Sequence, residues 1–174
     1  MGRSIQAAVL VPVYRDIEGA LRLVLIVRAP GGPHGSQIAF PGGVREPHDE
    51  TLQETALREA HEEIGLRPGN VEVITRLEEI DTISTGFVIS PFLGRIERPA
   101  TWTPQPSEVA DILEVRIDDL LAPGIHDSRM AQFERWPEPR QISFYRLGPH
   151  ELWGATYRIV QPLLPRLASG EWGI

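Results

Sequence analysis

Residues 42–66 read GGVREPHDETLQETALREAHEEIGL, and this stretch decides how the chain is read. Thr51 followed three residues later by Glu54 forms a capping box, and Gly65 stands where a helix stops, so the pattern predicts a helix over residues 51–64. At about 100° per residue, Leu52, Ala56, Leu57, Ala60 and Ile64 gather on one side as an apolar stripe. Glu59, Glu62 and Glu63 gather on a neighbouring side, because spacings of three and four share a helix face. Glu63 falls at the margin of the stripe, close to the direction of Leu52. Like charges at these spacings repel by roughly a few tenths of a kcal/mol each on an open helix, and by more when desolvated. A hard divalent cation with oxygen ligands offsets such crowding, and Arg58 can neutralise a neighbouring carboxylate or a substrate phosphate. For E-x-x-E-E alone, a solvated acidic face is the plain reading. Here the cluster follows Phe40-Pro41-Gly42-Gly43, a capping box and an Arg-Glu pair, and that combination favours a site.

Composition narrows the chemistry further. The length of 174 residues suits one domain spanning 1–174. The formal net charge is −7, from 24 acidic against 17 basic residues, which disfavours a nucleic-acid binder needing a basic face. A small anionic substrate is still compatible, since a bound cation reverses the local sign. The chain contains no cysteine, which excludes disulfides, zinc–thiolate sites and cysteine nucleophiles. All 17 basic residues are arginine, so Schiff-base lysines and Walker-type phosphate loops are excluded as well. Phosphate contacts must therefore use Arg, His, backbone N–H groups or metal. No apolar run approaches the ~20 residues that cross a bilayer. Residues 7–13 are short, contain Pro12 and lack a cleavage pattern, so no membrane partner is expected and a cytoplasmic location is the default.

Outward from the helix, residues 7–14 and 21–27 are β-rich runs joined by a polar turn at 16–19, a predicted hairpin. Pro12 marks the first as an edge strand or a bulged one. Residues 28–36 carry Gly31, Gly32, Pro33 and Gly35 and read as a loop. Residues 71–75 and 87–96 are further strands, with Pro91 again pointing to an edge or a bulge. An irregular loop over 99–106, a strand over 112–117, a short helical turn over 118–121 and a strand over 141–145 follow. Val160, Leu163, Leu164 and Leu167 fall at helical spacing, predicting a C-terminal helix disturbed by Pro162 and Pro165. The whole is a mixed α/β pattern.

Residues 43–66 resemble the Nudix box, G-x5-E-x7-R-E-U-x-E-E-x-G-U with U aliphatic. The run from Arg58 to Leu66 matches its second half throughout. Six residues rather than five separate Gly43 from Glu50, while Asp49 occupies the expected place, which leaves the first acidic role between Asp49 and Glu50. The resemblance implies an α/β/α sandwich with a mixed β-sheet, whose loop–helix–loop holds metal. It implies that Glu59, Glu62 and Glu63 bind Mg²⁺ or Mn²⁺, with the Gly42–Gly43 pair supplying a carbonyl, most directly Gly43. It also implies that water attacks phosphorus and a phosphoanhydride of a nucleotide-like substrate is broken.

Further segments are similar to the coenzyme A diphosphatase branch: residues 25–29, then Gln37-Ile38-Ala39-Phe40-Pro41-Gly42-Gly43, Ser107-Glu108-Val109 and Trp153-Gly154-Ala155-Thr156. Ser36 stands where that signature usually has glycine, and the loop between Arg28 and His34 is one residue shorter. This likeness implies that Arg28, Gln37, Phe40, Gly42 and Gly43 line a CoA-like substrate site, and family habit suggests a homodimer. Glu108 resembles a position supplying a further metal ligand or general base, against the plain reading of an exposed loop carboxylate, so that either it or one of Glu59, Glu62 and Glu63 orients or deprotonates water, with Arg58 supporting the constellation electrostatically. Arg28 could grip a terminal phosphate bidentately. His34 and His48 are expected to be solvated. Trp102 and Trp136 are expected to pack rather than stack on adenine, and Trp153 to pack the last helix against the sheet. Hydrolysis of another nucleotide diphosphate or a triphosphate, and a silent nucleotide-binding module that keeps the fold, are the rival readings.

Overall fold

The computed structural model describes residues 4–31, 35–82, 86–133 and 136–174; His34 lies outside them. The first half runs β1 (Ile5–Arg15), β2 (Leu21–Arg28), β3 (Ile38–Ala39), β4 (Gly42–Val44), α1 (Leu52–Ile64), β5 (Val71–Arg76), β6 (Ile80–Asp81) and β7 (Phe87–Ile96). The second runs β8 (Val109–Arg116), α2 (Ile117–Leu121), β9 (His126–Ala131), β10 (Arg140–Leu147), β11 (His150–Leu152) and α3 (Gly154–Ala168). No helix among the described residues is long and apolar enough to cross a membrane.

The main sheet has the order β3-β2-β1-β7-β5, with β4 also on β1, β6 on β7 and β8 on β2. β1 and β7 run parallel and the other pairs antiparallel, so the sheet is mixed. Side chains alternate across it, as strand geometry requires. Ala8, Leu10, Val24 and Ile26 face α1, where they meet Ala56, Ala60 and Ile64. Val11, Val13, Leu23 and Leu25 face the other way, against Leu120 of α2 and Val160, Leu163 and Leu164 of α3. The expected α/β/α sandwich is the observed one.

The prolines depart from expectation. β1 and β7 are central strands, not edges. Leu10 N–H points to the Pro41 carbonyl at 2.9 Å, so Pro12, two residues on, presents its missing N–H to the same side. There β1 has left β4, paired at residues 7–9, and has not yet joined β2, paired at residues 13–15. Pro91 repeats the device between β6, paired at Val88 and Ile89, and β5, paired from Phe92 onward. The irregularity lies on the strand opposite, where the β5 register shifts between Val73 and Thr75.

Pro162 and Pro165 do not break α3 either. An interior proline costs about 3 kcal/mol, but Ile159, Val160, Leu163, Leu164 and Leu167 are all buried. At ~1.5–3 kcal/mol for each buried apolar side chain, packing outweighs both prolines.

A second, three-stranded sheet, β11-β10-β9, was only partly visible in the sequence. It carries a satellite cluster of Ala131, Ile142 and Phe144 with Phe133, Trp136 and Trp153. Trp153 precedes α3 and stacks on Phe133 with centroids 4.6 Å apart, so it packs the helix start on this small sheet rather than on the main one. Trp136 meets Phe133 edge-on at 4.8 Å. Trp102 packs on the α1-side core, and its indole N–H donates to Glu114 at 3.0 Å. Both are packing residues, as expected.

Glu114, on β8, also accepts both Arg98 Nε and Nη2 at 2.7 Å and the Tyr14 hydroxyl. Burial alone would raise its carboxyl, but the Arg98, Tyr14 and Trp102 donors prevail and hold it down at about 2. Burial and the neighbouring carboxylate push Tyr14 up to about 12.

Ser36 adopts φ 63° while its N–H bonds the Arg28 carbonyl at 3.0 Å and Arg28 N–H bonds Gln37 O at 2.9 Å. That left-handed residue closes the loop at a position whose backbone favours glycine.

Two outcomes follow. The left-handed backbone costs a non-glycine residue ~1–2 kcal/mol, and added glycine freedom in the unfolded chain returns ~0.4–1 kcal/mol. Ser36→Gly is therefore expected to stabilise the protein by ~0.5–1 kcal/mol, a Tm rise of about 2 °C by calorimetry. Because the Glu114 pKa is depressed by folding, its stabilisation is present above the ordinary glutamate value of ~4.3 and is lost as pH falls through about 2. Over roughly pH 5 to 2, the Tm of Glu114→Gln is expected to fall less steeply than that of the wild type; parallel curves would refute this.

Candidate active site

Both ends of α1 are fixed as the sequence predicts. Thr51 Oγ1 accepts Glu54 N–H at 3.1 Å, and Glu54 Oε2 accepts the N–H of Thr51 at 3.3 Å and of Glu50 at 2.7 Å. Gly65 takes φ 72° and returns its N–H to His61 O at 3.0 Å. Docking the apolar stripe on the sheet turns Glu63 inward, leaving it 2 % exposed. Its Oε2 accepts the N–H of Gly42 at 2.9 Å.

The glycine pair is set against β1, with Gly43 opposite Ala8 and Gly42 opposite Val9. A Cβ on Gly42 would lie 2.4 Å from the Ala8 carbonyl, and one on Gly43 would lie 2.4 Å from Glu59 Oε1. At Gly42 the clash is with the β1 backbone, so no side chain fits, and at Gly43 a Cβ fits only by pushing the Glu59 carboxylate aside; the loop backbone lies directly on the helix carboxylates.

Burial raises the Glu63 carboxyl to about 7, opposed by the Gly42 N–H and the Arg28 charge and reinforced by Glu59 and Glu108. Glu59 is likewise raised by burial, with Arg58 lowering it and Glu62 and Glu108 raising it. The site therefore brings together Arg28 from the end of β2, three glutamates from α1 and Glu108 from the loop before β8. Glu108 is exposed, and its carbonyl accepts Ala29 N–H at 2.8 Å.

Arg58 is the hub of the charges. Its Nη1 reaches Glu59 Oε1 at 2.9 Å and Glu62 Oε2 at 3.1 Å, while Nη2 donates to the Val44 carbonyl at 3.2 Å. Its Nε and Nη2 grip both oxygens of Asp49 at 3.0 Å. Asp49 is buried and also accepts Glu46 N–H and Thr55 Oγ1 at 2.9 Å. The Arg58 guanidinium holds its carboxyl far below the usual range. Asp49, rather than Glu50, is thus the carboxylate that Arg58 grips, and Glu50 is exposed, its carbonyl accepting Arg45 Nη2 at 2.7 Å. Counted through Asp49, the spacing from Gly43 is regular, and the extra residue of the motif falls between Asp49 and Arg58, which eight residues rather than seven separate. Sequence reasoning overlooked Arg45, which also donates to Asp49 O at 3.1 and 3.2 Å, and Thr55; a polar residue on the apolar side of the helix was the available signal.

The other expected residues are distributed as follows. Phe40 is buried in the α3-side core and supports the loop from beneath. Gln37 is half-buried. His48 is exposed, 3.4 Å from Glu46 and 3.8 Å from Asp49. Among the described residues, no three acidic or histidine side chains close into a metal cage. The donor set is nonetheless of the right kind for a hard cation: oxygen donors only, with Glu63 and Glu59 set close under the Gly42–Gly43 backbone.

The NUDIX domain model matches residues 4–137. Nudix hydrolase NudL of Pectobacterium atrosepticum is 33 % identical over 94 % of this chain and 83 % of its own length. The Citrobacter koseri protein of that name is 35 % identical over 91 % of this chain and 80 % of its own. Among solved structures, the Mycobacterium smegmatis Nudix hydrolase RenU aligns with TM-score 0.58 and 27 % identity over 68 % of this chain and 74 % of that one. The NUDIX domain of Shewanella oneidensis NrtR, crystallised with ADP ribose, aligns with TM-score 0.64 over 96 % of this chain and 90 % of that one. At 15 % identity it shares the fold alone. With the box residues folded on a shared loop–helix–loop, the chain belongs to the Nudix hydrolases, enzymes that act on phosphoanhydride bonds.

Proposed function

We propose that this Nudix hydrolase cleaves coenzyme A or its thioesters to 3′,5′-ADP and 4′-phosphopantetheine, using Mg²⁺ or Mn²⁺. The observation that carries the reading is the seating of the Phe-Pro-Gly-Gly loop on the helix carboxylates, Gly42 N–H on Glu63 and Gly43 against Glu59. The choice of coenzyme A is supported by the likeness of residues 25–29 and 37–43 to that branch.

On this reading Glu59, Glu62 and Glu63, with the Gly43 carbonyl, hold the cation. Such an ion lowers the pKa of bound water from ~15.7 toward ~7 and neutralises charge developing on phosphoryl oxygens. Arg28 binds a phosphate of the diphosphate through its guanidinium. Glu108 orients the attacking water and takes its proton. The water oxygen forms a bond to one phosphorus, the bond from that phosphorus to the bridging oxygen breaks, and the bridging oxygen leaves with the other phosphate. Arg58, pinned by Asp49, fixes Glu59 and Glu62 in place.

The test is product analysis after incubation with Mg²⁺ or Mn²⁺ and a panel of CoA, ADP-ribose, NADH, diadenosine polyphosphates and nucleoside triphosphates. Release of 3′,5′-ADP from CoA in preference to turnover of the others is expected; preference for another diphosphate would overturn the CoA assignment. Glu59→Gln is expected to lower kcat by more than about a hundredfold, beyond the ~10–100-fold typical of residues that only support a metal site. Gly43→Ala, whose Cβ displaces the Glu59 carboxylate, is expected to lower kcat with an unchanged far-UV spectrum. Binding without turnover in the wild type would instead identify a silent module.

A further inference from the structure

The loop of residues 97–108 leaves β7, crosses the C-terminal end of α1 and delivers Glu108 to the start of β8. Its return half is fastened to the helix end. Thr103 N–H donates to Ile64 O at 3.2 Å and Gln105 N–H to Glu63 O at 2.9 Å, using carbonyls that a helix leaves without intrahelical partners. Glu108 N–H then closes on Gln105 O at 3.0 Å. The outward half is held differently, by side chains: Arg98 and Trp102 both donate to Glu114.

Trp102 joins the two halves. Its ring packs on the same core as Ile64 and Leu66, and its N–H fixes the ring's rotation about that contact. The next residue, Thr103, lies where a Cβ on Gly65 would be only 2.9 Å from its own Cβ, so the loop and helix end meet without slack. A shift of the indole must therefore move Thr103 and Gln105 along the helix end, and with them Glu108.

We propose that Trp102, seated by Glu114, is a positioning residue that fixes the loop backbone bearing Glu108 at the C-terminal end of α1. This rests on the reading of Glu108 as the residue that orients water. Trp102 touches no reacting atom in this scheme; it acts through the loop.

Trp102→Phe keeps most of the ring and deletes the N–H. With CoA and Mg²⁺, or with whichever panel compound is hydrolysed fastest, kcat is expected to fall several-fold while KM stays near the wild-type value. The Thr103 and Gln105 amides are expected to lose hydrogen-exchange protection. In a Glu108→Gln background the same substitution is expected to change kcat little, because the residue it positions is already disabled. An equal fold-loss in both backgrounds, or full turnover and protection in Trp102→Phe, overturns the proposal. Wild-type turnover in Glu108→Gln alone condemns the Glu108 reading, and the positioning role with it. A slow Glu108→Gln beside a fully active Trp102→Phe condemns the positioning role only. Should Trp102→Phe fail to fold, Arg98→Gln removes another donor to Glu114 and is taken through the same cycle.

Discussion

The contact between Gly42 N–H and the Glu63 carboxylate joins the two parts on which everything else in this protein depends, the glycine loop and the acidic helix. A carboxylate almost without solvent is costly unless it is hydrogen-bonded or paired. Here a backbone donor reaches it because neither Gly42 nor Gly43 has a Cβ to hold the loop away. The approach also needs a helix that lies low on the sheet. Ala56 and Ala60, both fully buried against Ala8 and Leu10, allow that. Small residues on the helix and glycines on the loop are thus one constraint seen from two sides.

Charge balance around that contact explains why the site calls for a cation. Asp49, Glu59, Glu62, Glu63 and Glu108 are five carboxylates, set against the guanidiniums of Arg28 and Arg58. Arg58 is already spent on the bidentate grip of Asp49, so only its Nη1 is shared between Glu59 and Glu62. Buried Glu63 answers the excess by a raised pKa, as expected where a like charge and desolvation act together. A family whose members bind small nucleotide derivatives must bring polyanions to this place, and fixed arginines alone leave the balance negative.

How much of this was legible in the sequence followed from the range of the interactions. α1 was legible almost to the residue, because its caps, stripe and stop are local signals within fifteen positions. The strands at 21–28, 71–76 and 87–96 were legible for the same reason. β3, β4, β6 and β11 were not, since two or three residues carry no period, and β9 presents a largely polar face. The gathering of Glu59, Glu62 and Glu63 on one face was legible from helical spacing, whereas Glu108 lies on a distant loop that no local period connects to them. The choice between Asp49 and Glu50 was not legible, because it depends on which carboxylate the Arg58 guanidinium grips. The Glu114 cluster was invisible: its members come from β1, the loop after β7 and β8, and nothing local links them.

The prolines show why local rules erred where the site required it. Pro12 argued for an edge strand because a central strand needs every N–H. β1 is central, but its lateral partner changes, from β4 at residues 7–9 to β2 at residues 13–15. Over the same stretch the chain at 38–44 crosses between these neighbours, with Ile38 and Ala39 paired to β2 and Gly42 to Val44 paired to β1. The missing N–H falls in the fork where no ladder bond is available, so the proline loses little by sitting there. That fork carries Pro41, Gly42 and Gly43 across the sheet and under α1. A continuous β1–β2 ladder would have satisfied the propensity rules, but it would have occupied the place of β4 and left Glu63 without its donor.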